Sequence, residues 1–403
     1  MYSGLQFNAI VYEGFLPSAP TVTGGPEPQS NILDNLDDST GRLGCGTPSA
    51  FITNRCTNGV NCVIDNEIIS SLFWGRVLDD VSEAELVMEL SGTVNFTCCQ
   101  CLDEAEPWCN ELHIWRDGEE VWVGPILDIV YETETVTVHA QDSLGWLGVR
   151  VLPGNLDYTV GSPNGVQDLT TIAIDLLEIA FSEDNLTCEI DNIFSSLTGI
   201  VYDTPGLFFE GFQGTALDVL RDISDIGLDF TTVGRTIVLV GDADPLNPLS
   251  LLNDEHIMGD IKVTKDGALM ANRYYVHFEG DNGIPASGEA INFHCYGPVE
   301  KIRDGDGLSS GIDAAKLADQ YVAAGGIAPR VVEIPDGSQL SPDTPWTINE
   351  LVPGARVDVA ITRLCISLTQ SFRLIGVEVR YNESDGEQVG ITLRPMNSVA
   401  VIP

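Results

Sequence analysis

Glu111-Leu112-His113-Ile114-Trp115-Arg116-Asp117-Gly118-Glu119-Glu120-Val121-Trp122-Val123 decides the fold class. Two apolar-rich runs flank Asp117-Gly118, a strong two-residue hairpin signal because glycine adopts positive φ without steric cost. Working outward, the period of two holds from about Ile68 to Asp142, where Val136, Val138 and Ala140 alternate with Thr135, Thr137 and His139. This pattern predicts antiparallel β with one face buried and one face wet.

Further along, the period changes. Leu169, Ile172, Ala173, Leu176 and Ala180 recur at helical spacing, which predicts an amphipathic helix over 168–181. A second helix is expected at about 215–226, with Thr215 as N-cap, Asp218 at N3, Val219, Leu220 and Ile223 on its apolar face, and Gly227 at the C′ position. Two strands around Gly234-Arg235 follow, and Gly241–Pro248 punctuates the end of a small α+β unit.

The last third returns to β. Tyr274–Phe278 reads as one strand, and Val357, Val359 and Ile361 mark another. Phe372 and Leu374 alternate, and the phase then slips at Ile375-Gly376 before Val377, Val379 and Tyr381. A slip beside glycine predicts a β-bulge, the device that bends strands into barrels. A turn at Asn382–Gly386 leads into Val389, Ile391 and Leu393, and a helix at about 312–324 interrupts the strands. The expected fold is mainly β with an α+β insert: two tube-like antiparallel β-barrel domains flanking a small α+β domain. The boundaries are 1–44 for a Pro/Gly/Ser/Asn-rich arm, 45–160 for the first barrel, 161–252 for the insert and 253–403 for the second barrel.

Composition narrows the partners. The 403 residues include 60 acidic and 19 basic side chains, a formal charge of −41. Such a surface repels phosphate and releases few counterions, which argues against tight nucleic-acid binding and against docking on anionic lipid. The excess of acid serves either plain solubility or a surface that nucleic acid slides past. Met1–Pro20 carries Glu13 and no Lys or Arg, so it lacks the positive n-region of a signal peptide, and no apolar run approaches a membrane span. The expectation is a chain that starts in a cytosol.

Seven of the ten cysteines lie between Cys45 and Cys109. Cys98-x2-Cys101 can chelate from a tight turn, and Cys56-x5-Cys62 can supply a second pair, a four-thiolate set suited to zinc or an iron–sulfur cluster. The wide C-x5-C spacing fits a finger incompletely, and disulfides or inert buried thiols remain open as alternatives. Cys188, Cys295 and Cys365 stand in apolar contexts as expected core fillers. The histidines at 113, 139, 256, 277 and 294 are scattered, and structural roles are expected at strand positions. Asp304-Gly305-Asp306 imitates a calcium loop without its closing Glu and reads as a turn. No Walker A, G-x-S-x-G, G-x-G-x-x-G or H-E-x-x-H pattern occurs.

Phe73-Trp74-Gly75-Arg76-Val77-Leu78-Asp79-Asp80-Val81-Ser82-Glu83-Ala84 resembles the opening β unit of minor tail proteins of long-tailed actinobacterial phages. The resemblance continues through Pro107-Trp108, His113 to Gly118 and Val121 to Ile126, with Cys45-Gly46, Arg55-Cys56 and Cys98-Cys99 beside it. Leu351–Arg356 and Leu374–Val379 look like the closing barrel of tail-hub proteins. It spans about 40–400, and Cys62, Cys101 and Cys109 lie outside its pattern.

The resemblance implies a tail (baseplate) hub without enzymatic activity, located in the virion at the tail tip after assembly in the host cytoplasm. Three copies would form a ring that adapts a sixfold tube to threefold parts, with the distal tail protein, the tape-measure protein and tail-tip or fibre proteins as partners. Genomic DNA would pass through the ring without specific binding, and nothing would insert into a membrane. Some hubs hold a cysteine-ligated iron–sulfur cluster. Two other classes compete. A tail-tip cell-wall hydrolase lacks a visible catalytic constellation, and a receptor- or carbohydrate-binding protein would use Trp74, Trp108, Trp115, Trp122 and Trp146 as a stacking surface.

Overall fold

The computed structural model describes residues 21–23, 42–55, 59–64, 66–89, 102–182, 190–202, 206–241, 246, 248–268, 270–279, 285–291, 297–304, 311–328, 330–335, 338–362, 364–365 and 368–396. After β1 (Thr21–Thr23) in the arm, the first β region runs β2 (Pro48–Asn54), β3 (Val60–Ile64), β4 (Ile69–Val77), β5 (Glu83–Glu89), β6 (Asn110–Arg116), β7 (Glu119–Tyr131) and β8 (Thr135–Gln141). Alternation becomes geometry here: Ala84, Leu86 and Met88 of β5 are buried, while Glu83, Glu85 and Glu89 face solvent. The β6–β7 turn places Asp117 at φ 53° and Gly118 at φ 92°, the two positive values a type I′ hairpin needs. Strand β7 changes partner after Pro125, pairing with β6 up to Pro125 and with β8 from Ile126 onward. Gly124 is required because a Cβ there would lie 1.7 Å from the Gln141 carbonyl oxygen.

The middle of the chain contains β9 (Leu156–Thr159), α1 (Leu169–Ser182), β10 (Asn192–Ser195), β11 (Gly206–Phe209), α2 (Ala216–Asp225), β12 (Leu228–Val233) and β13 (Thr236–Gly241). Helix α2 starts as its sequence dictates. Thr215 Oγ1 accepts from the Asp218 amide at 3.2 Å, and Asp218 Oδ2 accepts from the Thr215 amide at 2.8 Å, a reciprocal capping box. The arm contributes more than an unstructured lead: β1 docks parallel to β10, with Thr21 opposite Asn192, and becomes the edge of the sheet β1-β10-β13-β12.

The last third supplies β14 (Leu249–Asn253), β15 (Ile257–Met258), β16 (Lys262–Lys265), β17 (Arg273–Glu279), β18 (Pro285–Ile291), β19 (Glu300–Asp304), α3 (Gly311–Gly325), β20 (Arg330–Glu333), β21 (Gln339–Leu340), β22 (Arg356–Ile361), β23 (Leu368–Asn382) and β24 (Gly386–Pro395). The expected bulge is present: the β23–β24 register shifts between Leu374 and Gly376.

Two expectations of separate barrels meet a different arrangement. Both β regions belong to one 13-stranded sheet, joined where Ser71–Val77 of β4 pairs with Gly376–Asn382 of β23. Strand β23 is 15 residues long, enough to pair with β22 through its first half and with β4 through its second. No ring of pairings closes among the described residues, and the main path of the sheet ends at β16 and β3.

Packing divides the molecule into two cores. The first unites both β regions, with Leu86, Met88, Ile114, Trp122, Phe372, Val377 and Ile391 in one cluster. The second lies beneath α1, α2, β12 and β13, and it also takes in Tyr274 and Val276 of β17 and Ala314, Leu317, Ala318 and Tyr321 of α3. Residues assigned by sequence to the second barrel therefore complete the α+β layer. The apolar face of α3 has its partners there, and the Tyr321 hydroxyl donates to the Asp225 carbonyl at 3.0 Å.

Candidate functional site: sheet edges and the seam between the cores

Among the described residues, no group of three or more His, Cys, Asp or Glu side chains is placed to hold a metal. Of the four proposed thiolate ligands, Cys56, Cys98 and Cys101 lie outside the described residues. Cys62 on β3 is buried, and its sulfur is in a disulfide, so it is not a thiolate ligand. The disulfide alternative thus holds for Cys62, the one described member of the set. Cys45 and Cys109 are exposed free thiols. Cys365, expected as a core filler, is also exposed and free, because Leu364-Cys365 lies in a bend before β23 rather than within a strand. Cys188, Cys295, His294 and Asp306 lie outside the described residues.

The histidines at strand positions take structural roles. His113 on β6 bonds Thr53 at 2.9 Å through Nε2 and Glu120 at 2.5 Å through Nδ1. His139 lies 3.6 Å from Glu85 across β5–β8. The tryptophans form no exposed platform. Trp74, Trp122 and Trp146 are buried, and Trp108 packs its ring 5.4 Å from that of Trp146.

What the structure does concentrate is buried charge. Arg116, at the end of β6, pairs with Glu387 of β24 at 2.6 Å, and Glu387 also accepts from the Gly46 amide at 3.1 Å. This contact ties the two β regions together. Arg76 on β4 donates to the carbonyls of Ile348, Leu351 and Val121 at 2.9–3.1 Å, and burial lowers its pKa to about 10, which leaves it charged at neutral pH.

A second set lies along the seam between the sheet and the α+β layer. Arg235, in the β12–β13 turn, pairs with Glu111 of β6 at 2.5 Å, and Arg373 of β23 pairs with Asp229 of β12. Asp79, just past β4, exchanges backbone bonds with Phe230: its amide donates to the Phe230 carbonyl at 2.8 Å, and its Oδ1 accepts the Phe230 amide at 3.0 Å. Asp142 accepts from the Ser82 amide and hydroxyl at 2.8 and 2.6 Å and caps Leu144 at 2.9 Å, yet burial raises its pKa to about 6. Sequence reasoning missed these pairs. Their one visible signal is arginine inside apolar strand text, as in Trp74-Gly-Arg76-Val77 and Phe372-Arg373-Leu374, within a chain holding only 19 basic residues.

The two ends of the large sheet differ. Edge strand β16 carries Lys262 and Lys265 exposed, the charged protection common on sheet edges. Strand β3 carries no charge and leaves Val60 and Val63 more than half exposed, at 55% and 56%.

No protein-family model matches the sequence, and no curated protein matches it. Solved structures do match the fold. A tail protein from Neisseria meningitidis superposes with TM-score 0.59 at 12% identity, over 87% of this chain and 96% of that one. The 43 kDa tail protein of prophage MuSo2 from Shewanella oneidensis gives 0.57 at 14%, over 88% and 100%. The prophage tail protein gp18 from Listeria monocytogenes gives 0.52 at 10%, over 86% and 94%. The chain therefore shares the mainly β fold of phage tail proteins along most of its length.

Proposed function

We propose that this chain is a structural virion protein, the hub at the distal end of a phage tail tube, and that it catalyses no reaction. The observation that carries this is the extent of the likeness: 88% of this chain superposes on the whole of a prophage tail protein, so the shared architecture covers both β regions and the α+β layer. In the ring, three copies each contribute two tube-like β units, adapting a sixfold tube to a threefold tip. Contacts between copies would be head-to-tail, the geometry that closes rings, and the sheet ends β3 and β16 would become covered. The −41 charge would line the bore with carboxylates, keeping DNA from sticking during ejection. The distal tail protein, the tape-measure protein and the tail-tip or fibre proteins are the partners in this assembly. Cys62, held in a disulfide, would tie β3 covalently.

Co-expression with the distal tail protein of the same tail tests the proposal. Native mass measurement is expected to show complexes with three copies of this chain. Single copies throughout, or cell-wall lysis in a zymogram, would overturn it.

A further inference from the structure

Positive charge is unevenly placed along this chain. The first 261 residues contain no lysine, and all four lysines lie between Lys262 and Lys316. Two of them stand on β16, the edge strand that ends the large sheet. Lys262 is answered by Glu333 of β20 at 2.9 Å. Lys265 has no such answer, because the β16–β20 register sets it directly opposite Arg330. Like charges opposed across two strands weaken the pairing. Among the described residues, neither Lys265 nor Arg330 has an ion-pair partner. Asp266, next in the chain, accepts the Ala268 amide at 2.8 Å. Three residues before Arg330, Ile327 is 57% exposed.

The β7–β8 hairpin carries the opposite charge. Glu132 and Glu134 are exposed in its loop, and exposed Glu89 of β5 stands in register with Thr135 of β8. Glu132 accepts the Thr135 hydroxyl at 3.1 Å, and none of the three carboxylates has a cation partner among the described residues. Val130 and Tyr131, at the end of β7, are 43% and 53% exposed. Strand β7 lies seven places from β16 in the strand order, about 34 Å along the sheet at ~4.8 Å per strand. Within one copy, each patch is left without the other.

We propose that the β7–β8 hairpin of one copy docks against the β16–β20 edge of the next, with Glu132 and Glu134 facing Lys265 and Arg330. The occupant is a second copy because the chain itself carries the complement. Unpaired cations with exposed Ile327 form one surface, and unpaired carboxylates with exposed Val130 and Tyr131 form the other. Contact between two different patches is head-to-tail, the geometry that closes rings. Docking relieves the repulsion between Lys265 and Arg330, and opposite charge fixes which patches meet. The inference rests on the hub reading and names the surfaces through which its copies touch.

Charge reversal tests it in complexes co-expressed with the distal tail protein, with copy number read by native mass. Lys265→Glu with Arg330→Glu is expected to lower the fraction of three-copy complexes at least tenfold. Glu132→Lys with Glu134→Lys is expected to do the same, and all four changes in one chain to recover them. Three-copy complexes that survive either reversal overturn this contact and leave the hub reading standing, as does a loss that the fourfold exchange fails to recover. Wild-type chains that never reach three copies overturn both. Should a reversed chain fail to fold, carbodiimide coupling of wild-type complexes assembled from light and heavy-isotope copies decides. The reagent joins the lysine amine to a carboxyl group as an amide, takes up the water released and leaves as a urea. A light–heavy peptide linking Lys265 to Glu132 or Glu134 supports the contact. Lys265 linked between copies only to other carboxylates, or to none, refutes it.

Discussion

The large sheet and the α+β layer are stabilised at very different sequence ranges. Sheet pairings cross the whole chain: β4 meets β23, and Arg116 meets Glu387 across 271 positions. The layer is assembled mostly from neighbours, with α2, β12 and β13 consecutive and each locally signalled, while β1 is recruited from the arm and β17 and α3 from further on. Long-range β pairing carries a loop-closure cost before its contacts form, whereas capped helices and tight hairpins are favoured early. The layer should therefore withstand the loss of a long-range contact better than the sheet, and each should respond separately to damage.

The largest effect is expected from Arg116→Ala. It strands buried Glu387 without its cation and should cost about 3–5 kcal/mol of sheet stability by denaturant titration, while the double change Arg116→Met with Glu387→Leu recovers much of it. A cost under about 1 kcal/mol would mean that the two β regions do not depend on this tie. Next comes Leu220→Ala, which opens a cavity beneath α2 and should cost about 2–5 kcal/mol. Near-ultraviolet dichroism of the tryptophans of the sheet should change little in the transition this variant lowers. Loss of both cores together would erase the distinction between them.

Asp142 gives a smaller, pH-dependent effect. Its pKa is about 6 when folded and near 3.8 otherwise, so its stabilisation is complete below about pH 4 and fades as pH rises through 6. Two to three kcal/mol is the approximate scale at full loss, and unfolding free energies of Asp142→Asn should lack that slope. Thr215→Ala removes half of a capping box and should cost about 1 kcal/mol, confined to the α+β layer.

These differences also explain what could be read from sequence. The Asp117-Gly118 hairpin, the Thr215 cap and the Gly376 bulge were legible because each is decided within a few residues. The joining of two β regions into one sheet was not, because period-two text states which face is buried but not which strand lies alongside. Helix α3 was located correctly, yet its core was not, since its apolar face fits any apolar surface equally well. The buried arginines left a trace in the strand text, but their pairing was not legible because the partners of Arg373 and Arg235 stand more than a hundred residues away. Cysteine spacing pointed to four ligands, and the one described member is disulfide-bonded instead.

The central claim is best tested by a cryo-EM map of the assembled tail tip. Three copies should encircle a continuous bore, with six β units around it and Asp and Glu side chains facing inward. A single copy beside the tube, or a bore lined by neutral or basic residues, would contradict it.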